Sequence, residues 1–366
     1  MNENQIHSTM DNLSQLLGYT TPETDPEETV ETEIDYDHCD RITGGTNVLL
    51  YGVPGSGKSW TIQNEYCKNE NQMERLVFHP DYTYSDFVGQ ILPTVSSDDK
   101  VRYVFTPGPF TRLLWKAYTN PDKEYFLIIE EINRGNAPAI FGEVFQLLDR
   151  ISNPDSEYPV GTSEYPITNF NIAAIVYKNP ERKVRIPSNM SIIGTMNTSD
   201  QNVFTLDTAF QRRWHMRLIE NSFDHHSYAE KKILDTDVTW KGFCTAINKE
   251  ILENNVRLTS SEDKRIGAFF VQEGDLSYDQ REDDDNQPSE IRIKARLNNS
   301  RFPEKVIKYL WDDAFKFSRE TIFETQTYKS LEAVIKKFMS ERGNERFAFF
   351  KEGMFNAITG QNDDEV

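Results

Sequence analysis

Two short stretches carry residue types whose spacing suits phosphate chemistry. Gly52-Val53-Pro54-Gly55-Ser56-Gly57-Lys58-Ser59 follows the pattern G-x-x-x-x-G-K-[ST] without a mismatch. Its glycines let the main chain curl close to a phosphate, where a Cβ would obstruct it. Successive backbone N–H groups can then meet the phosphate oxygens. Lys58 is expected to reach the β and γ phosphates, and the Ser59 hydroxyl to ligate Mg²⁺. Gly52, Pro54, Gly55, Ser56, Gly57, Lys58, Ser59 and the adjoining Trp60 form the predicted nucleotide-binding set. The second stretch, Tyr125-Phe126-Leu127-Ile128-Ile129-Glu130-Glu131, is an apolar run that ends in two carboxylates. Glu130 is expected to hold the Mg²⁺ hydration shell, and Glu131 to orient and polarise an attacking water. The two stretches together predict Mg²⁺-dependent hydrolysis of a nucleoside triphosphate.

Such groups need rigid supports. Asn47-Val48-Leu49-Leu50-Tyr51 reads as a buried strand before the loop, and Ser59 to Tyr66 can begin a helix after it. Strand–loop–helix is the context the motif requires, because a helix N-terminus favours an anion. Residues 125–131 read as a further buried strand, delivering its acids at the C-terminal sheet edge where doubly wound sheets hold ligands. Arg75-Leu76-Val77-Phe78-His79 reads as another strand. From Arg41 onward strand and helix alternate, as in a parallel sheet with crossover helices. Tyr82 and Tyr84 admit stacking of bases, but a helix start capped by Ser85 or Asp86 is the better reading of that segment.

Composition limits the function classes. With 40 basic and 59 acidic residues the net charge is −19, which disfavours generic nucleic-acid binding, since phosphate neutralisation needs clustered Lys and Arg. Cys39, Cys67 and Cys244 are widely separated and lack C-x-x-C spacing, which argues against a disulfide framework or zinc site and fits a reducing cytoplasm. No apolar run approaches a membrane span, and the first residues lack the pattern of a signal peptide. The six histidines show no metal-site spacing, and no nuclease constellation is present.

The run IIEEINRGNAPAIFGEVFQLLD, residues 128–149, resembles the Walker B segment of the McrB family of AAA+ motors, the nucleotide-driven subunits of McrBC-type modification-dependent restriction systems. The family has Asp then Glu where this chain has Glu130 then Glu131. Met196-Asn197-Thr198-Ser199-Asp200 is similar to the family signature Met-Asn-Thr-Ala-Asp-Arg, with Ser199 for Ala and Gln201 for Arg. The resemblance puts Asn197 at sensor 1, where an amide can bond the γ phosphate and the lytic water. It makes Asn133, Arg134 and Asp200 the sensor loop read by a McrC-like activator and nuclease subunit. Leu206 to Trp214 resembles the family helix ending in an arginine pair, so Arg212 and Arg213 are expected to face a neighbouring subunit's γ phosphate. The alternative is an exposed basic pair favoured by the helix dipole. Arginines acting in trans imply a homo-oligomeric ring, a hexamer by the family's pattern. McrB-like motors use GTP and most AAA+ relatives ATP; no N-K-x-D guanine motif occurs, and Asn248-Lys249-Glu250-Ile251 fails at its last position.

The fold class expected is therefore an α/β AAA+ P-loop NTPase, a parallel sheet with flanking helices plus a small, mainly helical C-terminal lid. The domain reading is 1–40 as a short helix with an acidic linker, 41–220 as the large α/β domain, and 221–366 as the lid and C-terminal region. In that last part Lys231–Leu252 and Pro303–Arg319 read as helices, 274–290 as an acidic mobile loop, and Ile291–Leu297 as a half-buried edge strand. Arg265, in a stretch similar to an Arg-Ile-Gly run of the family lid, reads equally as a phosphate sensor or a structural arginine. Function is expected to be that of a restriction or anti-phage motor, meeting DNA through its complex. The alternative is a MoxR-like ATPase remodelling a protein partner without DNA. A nucleotide-gated scaffold is disfavoured by the intact Glu131, Asn197 and arginine pair.

Overall fold

The computed structural model describes residues 40–95, 101–197, 204–224, 226–253 and 264–360. The helix expected over 1–18, the linker up to residue 39, and the run 198–203 that contains Asp200 lie outside the described residues. The chain divides into two compact units. The first comprises Met1–Tyr51, Ser59–Met196 and Gln201–Arg217; the second comprises Gly52–Lys58, Asn197–Asp200 and Leu218–Val366.

The first unit is built on a sheet of β1 (Asn47–Gly52), β2 (Met73–Val77), β5 (Tyr125–Glu130), β6 (Met190–Asn197) and β7 (His215–Leu218). Their order is β2-β5-β6-β1-β7. β5 runs parallel to both its neighbours, pairing Val77 with Glu130 on one side and Ile129 with Gly194 on the other. Its five residues before Glu130 are buried, because a central parallel strand is covered on both faces and so reads as a continuous apolar run. The edge strand β2 is correspondingly more exposed.

Helices follow from their local sequence. After the phosphate loop, α1 (Lys58–Thr61) continues as a π-helical turn over Ile62–Tyr66. α2 (Tyr84–Val88) starts at Thr83, not at Ser85 or Asp86. Thr83 accepts from the Asp86 amide while Asp86 accepts from the Thr83 amide, a reciprocal capping box. α3 (Pro109–Thr119) buries Phe110, Leu113, Leu114 and Ala117, one face at helical spacing, with Pro109 where its missing N–H costs nothing. Between α2 and α3 lies an antiparallel pair that no sequence signal announced, β3 (Gly89–Val95) and β4 (Val101–Pro107). α4 (Ala137–Phe141) runs into a 3₁₀ segment over Gly142–Leu148. α5 (Phe170–Tyr177) precedes β6, and the single turn α6 (Thr208–Gln211) precedes β7. The core is aromatic around Phe78, Phe87, Phe141, Phe210 and Trp214, in edge-on and tilted pairs.

The second unit is mainly helical. α7 (Trp240–Glu253) is shorter than the expected 231–252, because residues 231–239 close a tight turn instead. There the Ile233 amide donates to the Val238 carbonyl, and the Thr239 hydroxyl accepts the Gly242 amide as the helix begins. Residues 291–297 are not an edge strand but part of α8 (Ser289–Asn299). The alternation of apolar and basic residues is misleading: Ala295 and Asn299, four apart, are buried, while Ile293 and Leu297 are exposed. The acidic segment before it forms 3₁₀ turns at Glu273–Leu276 and Gln280–Glu282, with Asp275 paired to Lys305 at 3.0 Å and Glu282 accepting from Asn299 at 2.6 Å. Helical turns over Pro303–Ile307 and Leu310–Ala314 stop before Arg319, which belongs to a separate 3₁₀ turn. α9 (Leu331–Ser340) and α10 (Glu352–Thr359) complete the unit. Its core joins Trp240, Phe243, Phe302, Phe338 and Phe347. Among the described residues no helix is long and apolar enough to cross a membrane. Cys67 and Cys244 are buried free thiols, both pushed up in pKa by that burial.

Candidate functional site

The phosphate loop Gly52–Lys58 lies in the second unit, directly after β1. Gly55 and Gly57 sit at φ +76° and +102°, left-handed backbone that a Cβ would strain. The Ser56 amide donates to the Val53 carbonyl at 3.2 Å, closing the turn. Lys58 is buried, and its ammonium donates to the carbonyls of Gly52 at 2.9 Å and Val53 at 3.0 Å, so a positive charge is fixed inside the loop. Ser56 is buried as well, whereas Trp60 is 44% exposed.

In the first unit the acids stand at the end of β5. The Ser59 hydroxyl lies 3.4 Å from Glu130 Oε1, within reach to donate to it, and Arg75 approaches the same oxygen at 3.6 Å. A hydroxyl and one carboxylate are hard oxygen donors of the kind Mg²⁺ takes alongside waters and substrate phosphates. No group of three or more His, Cys, Asp or Glu side chains suited to a metal occurs among the described residues. The Ser59 hydroxyl and the single Glu130 carboxylate fit an ion that takes the rest of its shell from waters and a nucleotide.

Glu131 has left-handed backbone, φ 53° and ψ 47°, an uncommon state for a residue with a Cβ. Such a conformation costs about 1–3 kcal/mol and persists only where its surroundings impose it. Here the Glu131 amide donates to the Thr195 hydroxyl at 3.1 Å, its carbonyl accepts the Arg134 amide at 2.8 Å, and Arg134 Nε stands 3.4 Å from its Oε2. Sequence reasoning does not find Thr195, since a hydroxyl on a neighbouring strand carries no local signal. β6 then ends on the half-buried Asn197.

The expected sensor-loop and arginine residues separate by environment. Asn133 is buried, and its carbonyl accepts the Phe204 amide at 2.7 Å. Arg134 is exposed. α6 is capped by Asp207, and the arginines follow it. Arg213 is held in its own chain: it pairs with Asp149 at 2.8 Å, donates to the Ala209 carbonyl at 2.8 Å, and lies over the Phe145 ring at 4.1 Å. Arg212 is exposed, with no side-chain hydrogen bond or ion pair among the described residues. Tyr82 and Tyr84 pack rather than present faces for bases. Tyr82 stacks on Phe78, burial pushing its pKa up to about 12, and the Tyr84 hydroxyl donates to Glu143 at 3.0 Å.

Residues 47–214 match the AAA domain family of the dynein-related subfamily, a span running from β1 to the residue after the arginine pair. Over 301 residues, 74% of this chain, it is 34% identical to the type II restriction enzyme BsuMI component YdiS of Bacillus subtilis (strain 168), covering 79% of that protein. It is also 30% identical, over 54% of its length, to the type IV methyl-directed restriction enzyme EcoKMcrB subunit of Escherichia coli (strain K12), covering 39% of that subunit. The chain belongs to the McrB-like AAA+ family. Family membership accords with the five-stranded sheet and the helical C-terminal unit, and it implies NTPase activity. In a McrB-like AAA+ chain the phosphate loop and the β5 acids are the positions to test first.

Proposed function

We propose that this chain is the nucleotide-hydrolysing motor subunit of a McrBC-like restriction or anti-phage complex. It hydrolyses ATP or GTP and works in the cytoplasm as a homo-oligomeric ring. It needs no nuclease of its own, because a McrC-like subunit supplies one, and it meets DNA through the complex. The observation that carries the reading is Glu131, held in left-handed backbone by Thr195 next to a Glu130 that already meets Ser59. Kinship to two restriction components supports the setting.

The residue roles follow from chemistry. Backbone amides from Gly52 to Ser59, with Pro54 stiffening the turn and Trp60 flanking it, cradle the phosphates, and Lys58 exchanges its carbonyl partners for β and γ phosphate oxygens. Ser59 and Glu130 would hold Mg²⁺, which when bound neutralises charge on the β and γ phosphates. Glu131 takes a hydrogen bond from the attacking water and aims it in line with the γ phosphorus. Asn197 donates its amide to the γ phosphate, stabilising charge as it develops. Arg212, exposed after α6, reaches a neighbouring subunit's nucleotide, while Arg213 fixes the turn that carries it. Asn133, Arg134 and Asp200 belong to the loop an activator reads. The division of labour is a large α/β domain over 41–220 and a lid and C-terminal region over 221–366.

The test is binding and turnover of the purified chain with ATP and GTP in competition, with and without its genetically linked partner. The expected result is Mg²⁺-dependent binding of one triphosphate, abolished in Lys58→Ala, and turnover that the partner raises without the chain alone cutting DNA. Purified chain that cut methylated DNA unaided would overturn the division of labour. Full turnover without a partner would favour a remodelling ATPase.

A further inference from the structure

Within the second unit a short segment far along the chain grips the phosphate loop by its backbone. The Phe269 amide donates to the Gly55 carbonyl at 2.8 Å, and the Gly267 amide to the Pro54 carbonyl at 3.2 Å. The approach is so close that neither chain has room for a side chain. A Cβ at Gly267 would run into the Gly55 carbonyl and come within 2.6 Å of the Pro54 carbonyl oxygen, and one at Gly55 would fall 2.6 Å from the Phe270 nitrogen. The Phe269 ring lies over Gly57, where a Cβ would come within 2.9 Å of it.

The other side of the segment is tied to the helical core. The Ile266 amide donates to Asn248 Oδ1 at 2.7 Å, and the Ile266 carbonyl accepts from both Asn248 and Asn221 at 2.9 Å. The Ala268 carbonyl accepts from Trp240 Nε1 at 2.9 Å. Backbone groups of residues 266 and 268 thus bond toward the core, and those of 267 and 269 toward the loop. Behind the Phe269 ring stands His226, 4.4 Å away and edge-on, itself against Tyr228, whose hydroxyl donates to the Val271 carbonyl at 2.8 Å.

We propose that Ile266–Phe270 is a positioning strap that sets the orientation of the phosphate-loop peptide planes. In a trans peptide the carbonyl and the following N–H point in opposite directions. Holding the Pro54 and Gly55 carbonyls toward the strap therefore turns the Gly55 and Ser56 N–H groups away from it, toward the loop interior. There the Ser56 amide meets the Val53 carbonyl. Pre-set amides lose less entropy when an anion arrives, so residues that touch no phosphate contribute to affinity. The strap also links the loop to the helical core, through its hydrogen bonds and the Phe269 ring, which gives nucleotide occupancy a direct route to α7. This inference rests on the reading of Gly52–Ser59 as the triphosphate site.

The test is nucleotide affinity of full-length variants in Mg²⁺, measured with a fluorescent triphosphate, together with kcat and KM. Gly267→Ala should weaken affinity and raise KM by roughly tenfold or more, with kcat at saturation within about twofold of wild type, as expected for the loss of two oriented hydrogen bonds. Gly274→Ala, at a glycine with open space around it, should leave affinity unchanged. Phe269→Ala should raise KM and Phe269→Tyr should restore it, and this pair decides the matter if Gly267→Ala fails to fold. In wild type, triphosphate should slow hydrogen exchange at the amides of residues 267 and 269. Folded Gly267→Ala with wild-type affinity, or unchanged exchange at both amides, would overturn the strap. Lys58→Ala separates the two readings: lost binding there with no loss in Gly267→Ala refutes the strap alone, whereas retained binding in Lys58→Ala refutes the triphosphate site.

Discussion

Substituting the two arginines after α6 one at a time should produce opposite failures. Arg213 is 11% exposed at its side chain and Asp149 25%, so their 2.8 Å pair is partly buried. Exposed pairs contribute about 0–1 kcal/mol, while breaking a buried one costs about 3–5 kcal/mol. An intermediate value of about 2 kcal/mol, with about 1 kcal/mol for the guanidinium over Phe145, puts Arg213→Ala near 3 kcal/mol. At about 2–4 °C per kcal/mol for a domain of this size, the melting temperature should fall by roughly 6–12 °C. Arg212→Ala removes an exposed side chain and should change stability by no more than about 0.5 kcal/mol. Its turnover should nevertheless drop by a factor of about 10³ or more if it stabilises transition-state charge in a neighbour. Thermal unfolding and steady-state hydrolysis at a protein concentration that supports assembly read both quantities. Mixing Arg212→Ala with Lys58→Ala chains should recover part of the activity, since some shared sites then combine the intact half of each chain. A stable but inactive Arg213→Ala beside a fully active Arg212→Ala would reverse the assignment and refute the reasoning.

Ser59→Ala should raise the Mg²⁺ concentration needed for half-maximal turnover while nucleotide binding without metal stays near wild type, and an unchanged Mg²⁺ titration would remove Ser59 from the metal site. His226 is buried among Phe223, Tyr228 and Phe269, and that burial holds its pKa below the ordinary 6.5. Because the folded state resists protonation, this residue's contribution is intact above about pH 6.5 and is lost as pH falls below that value. The drop in melting temperature between about pH 7.5 and 5.5 should therefore be smaller in His226→Phe than in wild type; an equal drop in both would show that the residue carries no acid sensitivity.

The parts of the fold that are legible in the sequence are those whose signal is local. β1, β5 and β6 stand out as apolar runs because a central parallel strand is buried on both faces. Sequence and structure part where tertiary packing decides. Ile291 to Leu297 alternates like a strand, yet Ala295 and Asn299 are buried while Ile293 and Leu297, which a strand would put on the same face, are exposed. α2 begins two or three residues ahead of the expected cap because Thr83 and Asp86 cap each other, so Asp86 is the third-position partner and not the cap itself. At the candidate site the motif residues can be read directly, but their supports cannot. Thr195 beneath Glu131, Arg75 beside Glu130 and Phe269 over Gly57 come from distant segments, and no spacing rule connects them.

Whether Glu131 positions the water that cleaves the triphosphate is decided by Glu131→Gln. The substitution keeps the side chain's length and removes its charge and basicity. Single-turnover hydrolysis and equilibrium binding should be measured on the same preparation in Mg²⁺, with ATP and with GTP. Nucleotide binding should stay close to wild type while hydrolysis slows by a factor of about 10² or more. Hydrolysis at the wild-type rate in Glu131→Gln, with binding intact, would contradict it.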